Sequence, residues 1–243
     1  MAIGSEQILE QVPSAATRTR GERLFLWGAV IALFVVVGGF ARTYYLRSFL
    51  QQDSLPALVH LHGLVMTLWF GTLLAQVLLV RSGNVRLHRK VGVAGIGIAT
   101  LVLIVGTAVA IAGARLGHTP GPPPLVFLAI PLGDMLVFAT LVTLGVAYRK
   151  RGDFHKRYML MASLGILTAA LARLQFLQAG GLPLFFAITD LIIIGVVLTD
   201  TVGRRRLHPA FVVGLIVVIG SQFARFLIAG TPAWEQFARW LTS

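Results

Sequence analysis

Seven long runs of apolar residues, separated by short polar loops, constrain this chain more than any other feature of its sequence. A helix that spans a bilayer needs about 20 apolar residues, and in lipid its backbone polar groups must be paired within the helix. The runs cover approximately residues 24–45, 56–80, 88–114, 125–148, 155–178, 184–201 and 208–229. The pattern predicts an all-α polytopic protein, with a seven-transmembrane-helix bundle over residues 21–230.

The two ends of the chain differ from the apolar runs. Residues 1–20 are polar and predict a mobile cytoplasmic tail. In residues 231–243, Thr231 is a suitable N-cap and Pro232 suits the first position of a helix. Its large apolar side chains are expected to share one face, as in an amphipathic helix at the membrane interface. These are Trp234, Phe237, Trp240 and Leu241.

Charge is scarce and unevenly placed. Only 12% of the 243 residues are charged, against about 25% in soluble domains. The net charge of +12 arises from arginines and lysines in alternate loops, which is the positive-inside pattern of membrane proteins and no sign of nucleic-acid binding. We therefore expect a multi-pass protein of the bacterial inner (plasma) membrane, in contact with lipid, with a cytoplasmic N-terminus and a C-terminus outside or in the periplasm. The absence of cysteine excludes thiolate ligands and thiolate catalysis.

A helix-pair repeat is suggested by recurring polar residues. Runs four and five contain Asp134, a basic loop, His155 and Arg173, and runs six and seven contain Asp190, a basic loop, His208 and Arg225. Runs two and three follow the same order more loosely. Internal repeats in membrane proteins often place a binding site at their interface.

Ionisable residues inside apolar runs are costly, so each one indicates a functional or structural role. Asp134, Asp190, Arg173 and Arg225 are all expected in the outer half of the bilayer. One interpretation is that each aspartate pairs with an arginine of the neighbouring repeat and fixes the helix register. The other is that the cluster binds a small lipophilic or anionic ligand.

Three histidines begin helices at the cytoplasmic face, one in each helix pair: His88, His155 and His208. They are interfacial or capping residues, or imidazole ligands of a haem b, or a three-histidine metal site with an open position.

A second group of candidates lies in run two. His60 and His62 point in directions about 200° apart on a helix, so at most one ligates a given metal. His62, Met66, Trp69 and Gln76 form one stripe at helical spacing, which is also what a packed helix face requires.

Two resemblances follow from these motifs. One pattern resembles a bacterial family of predicted multi-pass membrane proteins over about half of the chain, and this implies the membrane topology. Its residues are His62-Gly63, Gln76, Arg81, Leu87-His88-Arg89, Gly92, His155-Lys156-Arg157, Met159 and Ala172-Arg173. His62, Met66 and Trp69 resemble more weakly the cytochrome b561-type membrane proteins, which hold two haems with histidines from four helices. Runs four and six here contain no histidine.

Three functional hypotheses remain open, and the sequence does not decide whether the protein is an enzyme. The first is a redox protein that binds haem b or a quinone near its histidines. The second is a transporter, assembly factor or sensor with a ligand at the outer Asp/Arg/His cluster. The third is a metal-dependent membrane hydrolase that uses His88, His155 and His208.

Overall fold

Helices make up the regular structure throughout the described part of the chain. The computed structural model describes residues 15–119 and 122–243, with side chains from residue 23 onward, and contains no strand within these ranges. The helices are α1 (Ala15–Phe40), α2 (Ala57–Arg81), α3 (Val85–Arg115), α4 (Pro124–Phe127), α5 (Ala129–Ala147), α6 (Gly152–Leu164), α7 (Thr168–Leu171), α8 (Gly181–Arg204), α9 (Pro209–Ile228) and α10 (Pro232–Thr242). A π-helical turn, Ala41–Tyr45, extends α1, and a 3₁₀ turn, Gln175–Gly180, precedes α8.

Six of the described helical stretches are long and apolar enough to cross a membrane. They are Arg23–Tyr45, Ala57–Arg81, Val85–Arg115, Pro124–Ala147, Gln175–Arg204 and Pro209–Ile228. Large apolar side chains on their outer surfaces are exposed, such as Phe34 at 77%, Leu136 at 68% and Ile216 at 66%. Soluble monomers rarely leave such an extensive apolar surface uncovered. The chain is therefore an all-helical, multi-pass integral membrane protein.

The fifth apolar run was predicted to form one helix over residues 155–178, but the structure divides it. Helix α6 ends at Leu164, three residues form a turn, and α7 adds a single further turn. The break begins at Gly165. A Cβ on this residue would be tightly confined by the side chains of Val137 and Val218. Neighbouring helices thus approach the backbone where the helix ends.

This broken segment is the centre of the bundle. Helix α6 contacts α1, α2, α5, α8 and α9, and between residues 154 and 172 only Lys156 and Ala169 are exposed. The segment runs beside α1 and in the same direction. Phe25 of α1 lies against Arg157, and Gly39 near the other end of α1 lies against Ala170.

The two ends of the bundle are distinguished by their contacts. The loops α2–α3, α5–α6 and α8–α9 lie together, because His88 contacts His155 and His208 contacts Asp153. We call this the inner end. The π-helical turn, the 3₁₀ turn and α10 lie at the opposite, outer end, where Arg42 donates a hydrogen bond to Gln175 at 2.9 Å.

The terminal segments are partly as expected. The predicted tail covers residues 1–20. Its residues 1–14 lie outside the described part of the chain, and residues 15–20 belong to helix α1. Thr231 caps α10 by accepting from the Trp234 amide at 3.2 Å, which confirms the predicted cap. Trp234 and Leu241 pack towards α3 and α4, whereas Phe237 and Trp240 are exposed.

Candidate functional site

Two of the three helix-start histidines meet at the inner end. The ring centroids of His88 and His155 are 6.3 Å apart and the rings are nearly perpendicular, at 86°. His208 is bound elsewhere, to Asp153 and to its own helix terminus. Across residues 15–119 and 122–243, no group of three or more His, Cys, Asp or Glu side chains is placed to hold a metal ion. The three-histidine arrangement is therefore not formed.

The hydrogen bonds of His155 determine which ring nitrogen is available. Its Nδ1 lies 2.7 Å from the carbonyl oxygen of Gly145. Because a carbonyl only accepts, Nδ1 carries the hydrogen, and Nε2 of the neutral ring keeps its lone pair. This is the arrangement found in metal-ligating histidines, whose second nitrogen donates to a carbonyl or carboxylate.

His88 and Gln76 contribute buried polar atoms next to this ring. Nδ1 of His88 and Oε1 of Gln76 are buried and have no hydrogen-bond partner among the described residues. The Gln76 amide lies against Gly92, one helical turn after His88 on α3. Buried unpaired polar groups are unusual in native structures and require a specific explanation. We refer to Gln76, His88 and His155 as the inner polar cluster.

An ion pair that was not predicted also involves α6. Arg157 is 1% exposed and binds Asp200 through two bonds, Nη2–Oδ1 at 2.5 Å and Nε–Oδ2 at 3.1 Å. Its remaining terminal nitrogen donates to the Asp153 carbonyl at 2.7 Å. The available signal was Asp200, an aspartate at the end of an apolar run; Arg157 itself is indistinguishable from the neighbouring loop arginines in the sequence.

His208, which precedes α9, has two structural partners, one in the first turn of α9 and one in the first turn of α6. Its Nδ1 accepts from the Ala210 amide at 3.1 Å and so caps α9, while Nε2 lies 3.1 Å from Asp153 Oδ2. Burial, with the positive charges of Arg157 and Arg204, lowers the pKa of His208 although Asp153 opposes this. Burial alone would raise the pKa of Asp153, but its bond to His208 and nearby backbone amides lower it overall.

The outer cluster of two aspartates and two arginines forms one ion pair, not two. Nη1 of Arg225 donates to Asp134 Oδ1 at 2.6 Å and to the Ile130 carbonyl. Its Nε and Nη2 both donate to Ser221 Oγ. Gly133 makes room for this guanidinium, since a Cβ there would overlap it. Arg225 and Asp134 are each about 5% exposed, so the pair is buried and fully bonded.

The expected pairing of Asp190 with Arg173 is wrong. Asp190 accepts from the Gln222 amide at 2.9 Å, on α9. Arg173 follows the break after α7 and turns towards α1, where its guanidinium lies 4.5 Å above the Phe40 ring. Its Nη1 donates to the Ala169 carbonyl at 2.9 Å. The break in the fifth run separates the two side chains.

The histidines and the stripe of α2 have different environments. His60 is exposed and His62 is half-buried. Trp69 is 2% exposed and donates from Nε1 to Ser163 Oγ at 3.2 Å, which ties α2 to the central segment. Met66 packs against the same core. The stripe is thus the inward face of α2.

Comparison of this chain with protein-family models, curated proteins and solved structures finds no match.

Proposed function

We propose that the chain crosses the bacterial inner membrane seven times, with its N-terminus in the cytoplasm and its C-terminus outside. The seventh crossing is the broken segment 155–178, which runs beside α1 from Phe25 to Gly39. The basic loops at the inner end favour a cytoplasmic location for that end.

We further propose a redox function, with a haem b held between His88 and His155. The observation that supports it is the separation of 6.3 Å between the two ring centroids. At this separation the two imidazoles would be able to bind the same iron ion, because ring nitrogens are ligands of haem iron. The two rings come from different helices, α3 and α6, as bis-histidine ligation of haem requires.

The protein residues have separate roles in this proposal. His155 presents Nε2 as a ligand because its Nδ1–H is bound to the Gly145 carbonyl. His88 would supply the second imidazole, and its Nδ1, like Oε1 of Gln76, is buried without a partner among the residues whose side chains are described. Haem would supply one-electron chemistry at the inner end.

A visible spectrum of the purified protein, oxidised and then reduced with dithionite, tests the redox proposal. We expect a Soret band that shifts on reduction, and its loss in His88→Ala and His155→Ala with helicity and elution volume unchanged. His60→Ala is the matched control, because His60 lies exposed on α2 at the other end. A colourless wild-type protein, expressed with haem supplied, would refute the proposal.

The hydrolase hypothesis is not carried forward. It requires His88, His155 and His208 around one metal ion, but the ring of His208 is committed to Ala210 and Asp153.

A further inference from the structure

We propose that Arg173, His62 and Thr43 form a second site, at the outer end, which binds the anionic head group of a membrane amphiphile. The group recognised is a carboxylate or phosphate on an apolar body. This site is independent of the haem proposal, because it uses different residues at the opposite end of the bundle.

Arg173 differs from Arg157 and Arg225 in having no carboxylate partner among the described residues. Arg157 and Arg225 each bind an aspartate, whereas in the described ranges no carboxylate lies within 4.0 Å of Arg173. One of its five N–H donors is used by the Ala169 carbonyl. An arginine at membrane depth without a counter-charge is costly, and a bound anion would offset this cost.

Two further polar atoms at this end are buried without a partner. They are Nδ1 of His62 and Oγ1 of Thr43. Neither has a hydrogen-bond partner among the residues whose side chains are described. Arg173 lies over the ring of Phe40, three residues before Thr43, and Tyr44, the neighbour of Thr43, lies against Gly63, the neighbour of His62. An imidazole N–H and a hydroxyl are suitable donors to the oxygens of an anion, so a ligand there would satisfy atoms that the protein leaves unsatisfied.

The π-helical turn holds these residues in place. Tyr44 donates to the His60 carbonyl at 3.2 Å, and Tyr45 bonds Thr67 at 2.8 Å. On its other side the turn is joined to the segment after Arg173 by the bond from Arg42 to Gln175. Single π-helical turns occur frequently at functional sites, and this one connects the start of α2 with the Arg173 segment.

The surroundings explain why the ligand is an amphiphile. Leu61 and Leu64, which flank His62 and Gly63 along α2, and Phe176, three residues after Arg173, are exposed apolar side chains. An arginine binds carboxylate or phosphate through paired N–H donors. A ligand with an anionic head and an apolar body matches both parts of this surface.

Binding to the purified protein, delipidated in a neutral detergent, tests the site. The probes are a short-chain phosphatidylglycerol, dodecanoate, the zwitterionic phosphatidylcholine of equal chain length, and inorganic phosphate. We expect saturable one-to-one binding of phosphatidylglycerol or dodecanoate, and whichever binds more tightly identifies the head group. Phosphatidylcholine should bind at least about tenfold more weakly, since it lacks the net charge that a charged hydrogen bond recognises.

Variants distinguish binding at this site from a general electrostatic attraction of anions to a basic protein. Arg173→Gln should weaken binding at least about tenfold, and Thr43→Val should weaken it several-fold while keeping the shape of the side chain. Arg239→Gln is the control, an exposed arginine at the same end whose partner is Glu235. Equal losses in Arg173→Gln and Arg239→Gln would overturn the proposal. If Arg173→Gln does not fold, unchanged binding in Thr43→Val would overturn the proposal. Inorganic phosphate that binds as tightly as the amphiphiles would also overturn it.

Discussion

Individual charged side chains in this bundle differ in how many of their hydrogen-bonding groups have partners. Arg157 and Arg225 have carboxylate partners and additional bonds to carbonyl or hydroxyl oxygens. Removing one member of such a pair leaves an uncompensated buried charge, which typically costs about 3–5 kcal/mol. These pairs are therefore structural, while Arg173 and the His88–His155 pair retain groups available to a ligand.

His208 makes the stability of the protein depend on pH. The neutral ring accepts the Ala210 amide at Nδ1, and protonation would place a hydrogen on that atom and end the cap. Since the pKa of folded His208 is lowered, its contribution to the free energy of unfolding is present above the unfolded value of about 6.5. It is lost as the pH falls through the folded pKa, by at most about 1.4 kcal/mol per pH unit.

Replacing His208 by asparagine separates the cap from the titration, because asparagine is a good N-cap that does not ionise. We expect the thermal midpoint of wild type in detergent to fall between pH 6.5 and 5 more steeply than that of His208→Asn. Parallel curves for the two proteins would contradict this role of His208.

At the scale of helical elements, the central segment α6–α7 packs closely against α1. At Gly39 a Cβ would overlap the Ala170 carbonyl, so α1 and α7 approach at a distance that only glycine permits. Small residues at helix contacts have this effect in many membrane proteins.

We therefore expect Gly39→Ala to destabilise the protein by about 1–3 kcal/mol, as overpacking does. Gly38→Ala is the matched control, since a Cβ at Gly38 meets nothing within 4 Å, and alanine there should be neutral or stabilising. Unfolding by a denaturing detergent measures both variants. Equal stability of the two would show that the α1–α7 contact is not tight.

At the same scale, the long helices and several polar positions were predictable from sequence. Apolar runs and ionisable residues within them stand out by composition, which is how Asp134 and Arg225 were identified. The sequence offered pairing between neighbouring repeats as one interpretation, which Asp134 and Arg225 fit. That Asp190 bonds Gln222 instead of an arginine depends on helix rotation, which the sequence pattern does not give. The burial of Arg157 escaped prediction for a related reason: its basic neighbours resemble a loop, and only packing shows that α6 is central.

The whole molecule has two different ends. The inner end gathers the basic loops, and at the outer end α10 closes the bundle, with Trp234 donating to the Leu125 carbonyl at 2.8 Å. Arg115 of α3 binds the carbonyl oxygens of Thr242 and Ser243 there. This polarity is what the proposed seven crossings would produce.

Labelling of introduced cysteines tests the orientation, and the absence of native cysteine makes each site unique. Ser54→Cys and Ser243→Cys should react with a membrane-impermeant maleimide in intact cells, since both lie at the outer end. Ser82→Cys, in the basic α2–α3 loop, should react only after permeabilisation. Protection of Ser243→Cys together with Ser82→Cys would contradict the seventh crossing.

The position of Arg157 has a consequence for how the chain enters the membrane during synthesis. Its partner Asp200 is 43 residues further along the chain, so the arginine is made well before the carboxylate that neutralises it. A segment with an unpaired arginine inserts poorly into lipid alone. Segment 155–178 should therefore be retained at the translocon or interface until α8 is synthesised, and the two should enter the bilayer as a unit.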